Sequence, residues 1–326
     1  MEPIVAVRNL SKRFRAHTDI DSLFASGAGT SLTAVDGVSF ELRKGEVFGL
    51  VGESGSGKTT LGRMLVRLEV PDGGEIHVDG KPILALRGND LKAFYRSTQM
   101  IFQDPYGSLN PRFTVSETLM DPVKVQRLAP QAKRVDWITR ALARAGLAPA
   151  SEYLDKYPHE LSGGQRQRLS IARALVMEPQ LIIADEPVSM LDVSIKAGIL
   201  NLLKSLAKND GVTVLYISHD LSTVKYLCER TAIMYRGRFV EMGLTDRVID
   251  QPQHPYARAL KAAIPIADPE IRRERIVPKD IGTMSLPVLQ GCRYLSQCPE
   301  AMDVCAQEDP PLSPTPGNHL VACHLY

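Results

Sequence analysis

The chain predicts an α/β fold built on a parallel sheet, and three observations carry that reading. Short apolar runs alternate with amphipathic helical stretches; one run leads straight into a glycine-rich string and then a helix; another ends in two adjacent carboxylates.

The elements follow in order. Residues 46–51 read as a buried strand. Residues 59–68 read as a helix, because Leu61, Met64, Leu65 and Leu68 recur on one face while Arg63 and Arg67 lie opposite. Gly73-Gly74 precedes an alternating strand over residues 75–80 that ends in a turn. Between about residues 84 and 161 the strands give way to helical patterns such as Val135, Trp137, Ile138 and Leu142, which predicts an inserted helical subdomain. The β/α pattern resumes at residues 181–184 and 212–218, with a helix over 194–208 between them. Residues 231–242, turning at Arg236-Gly237, read as a closing hairpin. After Gln251-Pro252-Gln253-His254-Pro255 the composition shifts to prolines and cysteines, so the expected division is a first domain over 1–253 and a small C-terminal domain over 254–326. Residues 16–33 form a polar insertion expected to be a loop.

The bulk numbers exclude several classes. With 39 basic against 37 acidic side chains, the chain has no general attraction for a polyanion, and no nucleic-acid partner is expected. No apolar stretch approaches the ~18 residues of a membrane span, and the start lacks a signal-peptide pattern. The expectation is a cytosolic chain whose link to a membrane comes through partner subunits.

The first chemistry lies in Gly52-Glu53-Ser54-Gly55-Ser56-Gly57-Lys58-Thr59. Its glycines let backbone N–H groups approach phosphate oxygens, and the following helix presents its positive end. Lys58 is expected on the β and γ phosphates and the Thr59 hydroxyl on magnesium, with Thr60 completing the nucleotide-binding set. The position of this string between a strand and a helix supports a nucleotide site. Residues 181–186 supply the second part: Asp185 to hold the magnesium shell and Glu186 to orient and deprotonate the attacking water. The bland alternative for these carboxylates is a strand ending in a solvated turn. Gln103 read alone is a solvated loop residue, His219 a structural histidine and Phe14 a piece of core. Arg166, Arg168 and Arg173 read as a solvated or intramolecularly paired face. Cys228, at helical spacing from Val224, reads as a small buried residue.

In this order along one chain, the motifs resemble the ATPase subunits of ABC transporters. Leu161-Ser162-Gly163-Gly164-Gln165 looks like the signature that closes over the γ-phosphate held by an opposing subunit. Gln103 matches the Q-loop glutamine that contacts magnesium and water, Asp192 closes the D-loop string Ser189-Met190-Leu191-Asp192, and His219 matches the switch histidine. Phe14 stands where an adenine-stacking aromatic, more often tyrosine, is expected. The resemblance implies a P-loop core with an antiparallel β subdomain, an inserted helical subdomain and a cysteine-containing appendage. It also implies a catalytic group of Glu186, His219, Gln103 and Lys58 working on ATP and Mg2+.

Two stretches narrow the resemblance to the oligopeptide and dipeptide importer branch. They are the extended Q-loop segment from Phe102 to Arg112, and His254-Pro255-Tyr256 opening a helix through Leu260 and Ile264. That branch implies a second ATPase subunit, homologous or identical, and two transmembrane permease subunits on the cytoplasmic face of the inner membrane. A solute-binding protein acts indirectly. The cargo implied is peptide, with nickel, glutathione or another solute as the alternative; a soluble non-transport ABC ATPase is the more distant one. Structural zinc sites use tighter paired spacing than Cys292, Cys298, Cys305 and Cys323 show, which leaves zinc open only as a lesser alternative. Related transporters with this pattern carry a [4Fe-4S] cluster, which the resemblance implies here; free thiols or an oxidative bond remain open, and His319 and His324 flank the last cysteine.

Overall fold

The computed structural model describes residues 3–15, 31–263 and 290–326. β1 (Pro3–Arg15) pairs antiparallel with β2 (Ser31–Arg43), so residues 31–33 belong to a strand; the rest of the expected 16–33 loop lies outside the described residues. β3 (Val47–Val51) runs into α1 (Lys58–Leu65), followed by the hairpin of β4 (Gly73–Val78) and β5 (Lys81–Pro82). The helical region holds α2 (Gly88–Ser97), β6 (Thr98–Ile101), α3 (Pro105–Ser108), α4 (Val115–Gln126), α5 (Arg134–Arg144) and α6 (Gly163–Leu175). Next come β7 (Leu181–Asp185), α7 (Val193–Asp210), β8 (Thr213–Ser218), α8 (Leu221–Leu227), β9 (Arg230–Tyr235) and β10 (Arg238–Leu244). The chain closes with α9 (Thr245–Asp250), α10 (Pro255–Ala262), α11 (Val304–Gln307), β11 (Ser313–Thr315) and β12 (His319–Val321).

Two sheets result. The smaller is antiparallel in the order β2-β1-β4-β5; the larger runs β11-β12-β10-β9-β3-β8-β7-β6, with β9, β3, β8, β7 and β6 parallel. Both faces of the large sheet are covered, as parallel strands require. Strand alternation sorts the side chains: Ile182, Ala184, Val214 and Tyr216 pack with the helices on one side. Leu181, Ile183, Leu215 and Ile217 face α1 and the small sheet, through Leu61, Met64, Leu65, Val5, Leu10 and Val35. Each such fully buried aliphatic side chain is worth about 2 kcal/mol of transfer free energy.

Two expectations need correction. α1 stops at Leu65, and Leu68, expected on its apolar face, is 57% exposed. Arg67 takes a left-handed conformation (φ 59°) and the Leu68 amide turns back to the Arg63 carbonyl, which ends the helix three residues early. The region expected to be helical contains β6, parallel to β7. Its four residues include polar Thr98 and Gln99, too short and mixed to carry a strand pattern.

The C-terminal segment joins the large sheet. β12 pairs with β10 through Glu241 opposite Val321 and Met242 opposite Leu320. The Glu241 carboxylate, fully buried, accepts from the Gln253 amide (3.0 Å) and the His254 amide (2.8 Å), and lies 2.7 Å from His319 Nε2. The His254 imidazole then caps α10, its Nδ1 accepting from the Tyr256 amide at 3.0 Å, with Pro255 at the first helical position. Burial, helped by the nearby Arg258 charge, pushes His254 down to about 4.

Because the folded value lies below the ordinary one, the stability His254 contributes is complete above about pH 6.5 and is lost as pH falls toward 4. Acidification from pH 7 to 4.5 should cost on the order of 2 kcal/mol through this group. Denaturant unfolding at both values should show that difference between the native chain and His254→Asn, whose side chain can still cap but does not titrate.

Candidate nucleotide site

The site forms where β3, β7 and β8 end on the same edge of the large sheet, each releasing a functional segment at its C-terminal end. After β3 the loop from Gly52 to Gly57 wraps into α1. Gly57 has φ 106°, and a Cβ there would meet the Ala34 carbonyl oxygen at 2.1 Å. Only glycine lets the loop pass this close to β2. Ser54, Glu53 and Gly55 are exposed, while Ser56 and Lys58 are buried and Thr59 and Thr60 half-buried. The Lys58 ammonium donates to the Gly52 carbonyl (2.8 Å), the Glu53 carbonyl (2.8 Å) and Ser56 Oγ (3.4 Å). Burial lowers its proton affinity, and the Glu186, Asp185 and Glu53 carboxylates oppose that shift.

Asp185 ends β7 buried, and its Oδ1 accepts from the Thr59 hydroxyl at 3.1 Å. Burial raises its pKa, against the Thr59 hydrogen bond. Glu186 follows in a left-handed conformation (φ 46°), an uncommon one for a non-glycine residue, with its amide bonded to the Ile217 carbonyl of β8. Its carboxylate joins two segments: Oε2 accepts from Gln103 Nε2 at 3.0 Å, and Oε1 lies 3.1 Å from His219 Nδ1. A residue 83 positions before Glu186 and one 33 positions after it thus meet at its carboxylate.

Phe14 is 38% exposed, opposite Leu32 on β2, with the Lys12 ammonium 5.3 Å over its ring. It is not core packing. The β2 strand that carries Leu32 also carries Ala34, the neighbour of Gly57, so Phe14 lies on the strand pair that borders the phosphate loop.

The signature sits elsewhere, at the start of α6. Ser162 is its N-cap: Ser162 Oγ accepts from the Gln165 amide, and Gln165 Oε1 accepts from the Ser162 amide at 2.9 Å. Gly163 faces Leu191, and a Cβ on Gly164 would meet Ile195 Cγ2 at 2.6 Å, so Gly164 lets α6 approach the start of α7, where Asp192 is the N-cap residue. Farther along α6, Arg166 stacks 4.3 Å over Tyr106 and bonds the Pro158 carbonyl, Arg168 bonds the Ala145 carbonyl at 2.8 Å, and Arg173 bonds the Ser108 carbonyl. These arginines are intramolecularly paired, and two of them tie the signature helix to the segment after Gln103. Sequence patterns carried no sign of that tie. Cys228 is buried and its thiol is pushed up by burial, as expected of a small core residue.

The four C-terminal cysteines are free thiols, and burial pushes Cys292 up to about 11 and raises Cys298 and Cys323. Among the described residues no group of three or more His, Cys, Asp or Glu side chains is disposed to hold a metal ion. The expected [4Fe-4S] cluster therefore finds no support here: burial disfavours the thiolate form of Cys292, Cys298 and Cys323, and a cluster is held by thiolates. His319 is committed to Glu241, and His324 Nε2 pairs with the Glu308 carbonyl.

Residues 35–189 match the family model for ABC transporters, and residues 240–305 match that for the oligopeptide/dipeptide transporter C-terminal region. A Brucella ovis chain named, provisionally, a peptide import ATP-binding protein is 44% identical over 98% of this chain and 97% of its own length. The oligopeptide transport ATP-binding protein AppF of Bacillus subtilis is 42% identical over 100% of this chain and 98% of its own. A solved dimeric ATP-binding cassette, MJ0796 in a post-hydrolysis state bound to ADP and Pi, superposes with a TM-score of 0.64 at 27% identity, covering 74% of this chain and 98% of that one. The chain belongs to the ATP-binding subunits of ABC transporters, in the oligopeptide/dipeptide branch.

Gly57→Ala should place a methyl against the Ala34 carbonyl in a conformation that disfavours side chains. Equilibrium unfolding is expected to show a loss of about 2 kcal/mol or more, and titration with ATP a loss of binding.

Proposed function

We propose that this chain is the ATP-hydrolysing subunit of a peptide importer, acting at the cytoplasmic face of the membrane beneath two permease subunits. The observation that carries the chemistry is the meeting of Gln103, Glu186 and His219 beside the phosphate loop. In this reading Phe14 stacks on adenine, the amides from Ser54 to Thr60 and the Lys58 ammonium receive the phosphates, and Glu186 takes a proton from the attacking water. Gln103 and His219 hold the Glu186 carboxylate from two sides and sense the γ-phosphate. The work is positioning and electrostatic stabilisation, with no covalent intermediate.

A buried carboxylate touching a hydroxyl, as in Asp185 and Thr59, is a hard oxygen donor pair suited to Mg2+, and Gln103 adds a carbonyl oxygen. The ion would neutralise phosphate charge. No step of this reading runs through the four cysteines.

The signature residues Ser162, Gly163, Gly164 and Gln165 open α6, at the positive end of that helix. They would complete the site of a second, homologous ATPase subunit, with Asp192 at the same junction. The solved cassette of MJ0796 is a dimer, which supports pairing of two such subunits. The segment from Gln103 to Arg112, stacked and bonded to α6 through Tyr106 and Ser108, would carry closure to the permeases. No helix among the described residues is long and apolar enough to cross a membrane, so contact with it runs through those partners. Peptide as cargo rests on the names of the relatives and on the matched C-terminal region.

Glu186→Gln should keep ATP binding, gain a lasting ATP-dependent dimer and lose about 100-fold or more in turnover. Phosphate release and size-exclusion chromatography with ATP would measure both; ordinary turnover would remove Glu186 as the base. With permeases and a binding protein reconstituted, peptide delivery should raise turnover, and indifference to every peptide would remove the cargo assignment.

A further inference from the structure

The His254-Pro255-Tyr256 string begins about 200 residues after the phosphate loop, yet the structure brings it into contact with that loop. The Tyr256 hydroxyl, on a side chain only 2% exposed, accepts a hydrogen bond from the Glu53 amide at 3.1 Å. The same peptide unit presents the Gly52 carbonyl on its other end, and that oxygen accepts from the Lys58 ammonium at 2.8 Å. One peptide group is therefore held from both sides, by a tyrosine of α10 and by the phosphate-binding lysine. Hydrogen bonds at the two ends of an amide polarise and reinforce each other.

Tyr256 is itself fixed on every side. Its amide bonds to His254 Nδ1, and the His254 amide bonds to the buried Glu241 carboxylate, so the start of α10 is anchored to β10. Its ring packs against Tyr235, the last residue of β9, at 4.5 Å between centroids, and against Tyr294 of the C-terminal segment at 5.6 Å. Tyr294 in turn packs against His254 and Tyr235. A hydroxyl this restricted can set the plane of the peptide it touches.

We infer that Tyr256 is a positioning residue for the nucleotide site: its hydroxyl fixes the Gly52–Glu53 peptide, and through the Gly52 carbonyl it aims the Lys58 ammonium at the phosphates. The C-terminal segment thereby becomes part of the nucleotide site's support. The inference rests on the assignment of Lys58 to ATP phosphates and goes beyond it by giving the histidine-proline-tyrosine string a task.

The test is MgATP titration and steady-state hydrolysis by the full-length chain, comparing Tyr256→Phe with Tyr235→Phe. Both remove one hydroxyl from the same ring cluster, but the Tyr235 hydroxyl faces Gln297, not the phosphate loop. Tyr256→Phe should raise KM and Kd for MgATP by about tenfold while kcat at saturation stays within about threefold, and Tyr235→Phe should leave both near the native values. A purely structural role would lower the active fraction, and with it kcat, at unchanged KM; that result, or equal effects of the two variants, overturns the inference. Lys58→Ala separates the two layers of the argument: if it binds ATP normally, the lysine assignment fails; if it loses binding while Tyr256→Phe does not, only the role of Tyr256 fails. Should Tyr256→Phe not fold, amide hydrogen exchange on the native chain decides: slow exchange at Glu53 relative to neighbouring Ser54 supports the bond, and equally fast exchange overturns it.

Discussion

The backbone ladder that holds β3 beside β8 and β8 beside β7 sets the position of every group in the nucleotide site. Val51 lies opposite Ser218, and Ile217 opposite Asp185, so the phosphate loop, the paired carboxylates and His219 leave the sheet at nearly the same level. A parallel ladder has to be buried on both faces, which is why α1 and the small sheet cover one side and the longer helices the other. The α1 helix serves twice, since the turn that presents Lys58 and Thr59 also supplies Leu61, Met64 and Leu65 to the core. Packing and chemistry are thus coupled through a single eight-residue helix.

Charge in the site is managed by burial and pairing together. Desolvation acts on Lys58 and Asp185 in opposite directions, favouring the neutral form of each, and their mutual proximity with Glu186 limits the effect on the lysine. Lys58 spends its three donors on loop oxygens, and Asp185 accepts from Thr59, so neither charge is left alone in a poor solvent. Glu186 is the hub: Gln103 follows β6 and His219 follows β8, and both reach its carboxylate. A change at either neighbour would alter the carboxylate's orientation before it altered the fold.

The C-terminal segment is bound to this arrangement more tightly than an appended domain would be. Glu241 gathers β10, the approach to α10 and β12 around one buried carboxylate, and the tyrosines at 235, 256 and 294 fill the space between that junction and the phosphate loop. Nearby, Asp36 of β2 pairs with Arg238 of β10 and Arg293 of the C-terminal segment, so the small sheet is tied to the same corner. Three stretches distant in sequence therefore share one structural support for nucleotide binding.

The sequence by itself determined the α/β class, the phosphate loop and the two carboxylates that end β7, because each depends on local residue order; Gln103, the signature and His219 were legible only through the resemblance to ABC ATPases. The sequence also placed the hairpin at Arg236-Gly237 and the helix that begins at Pro255. Tertiary structure alone decided that Leu68 turns outward, that a four-residue strand hides in the helical region, and that the final hairpin extends the main sheet. It alone joined Gln103 and His219 at Glu186, and Tyr256 to Glu53. For the four cysteines, which the resemblance implied as cluster ligands, the described residues show no group disposed to hold a metal ion. The physical reason is common to all of these: periodicity and motif spacing report which face of an element is apolar and which backbone can bend, whereas contacts between residues far apart depend on how sheets and helices stack, a property no short stretch of sequence contains.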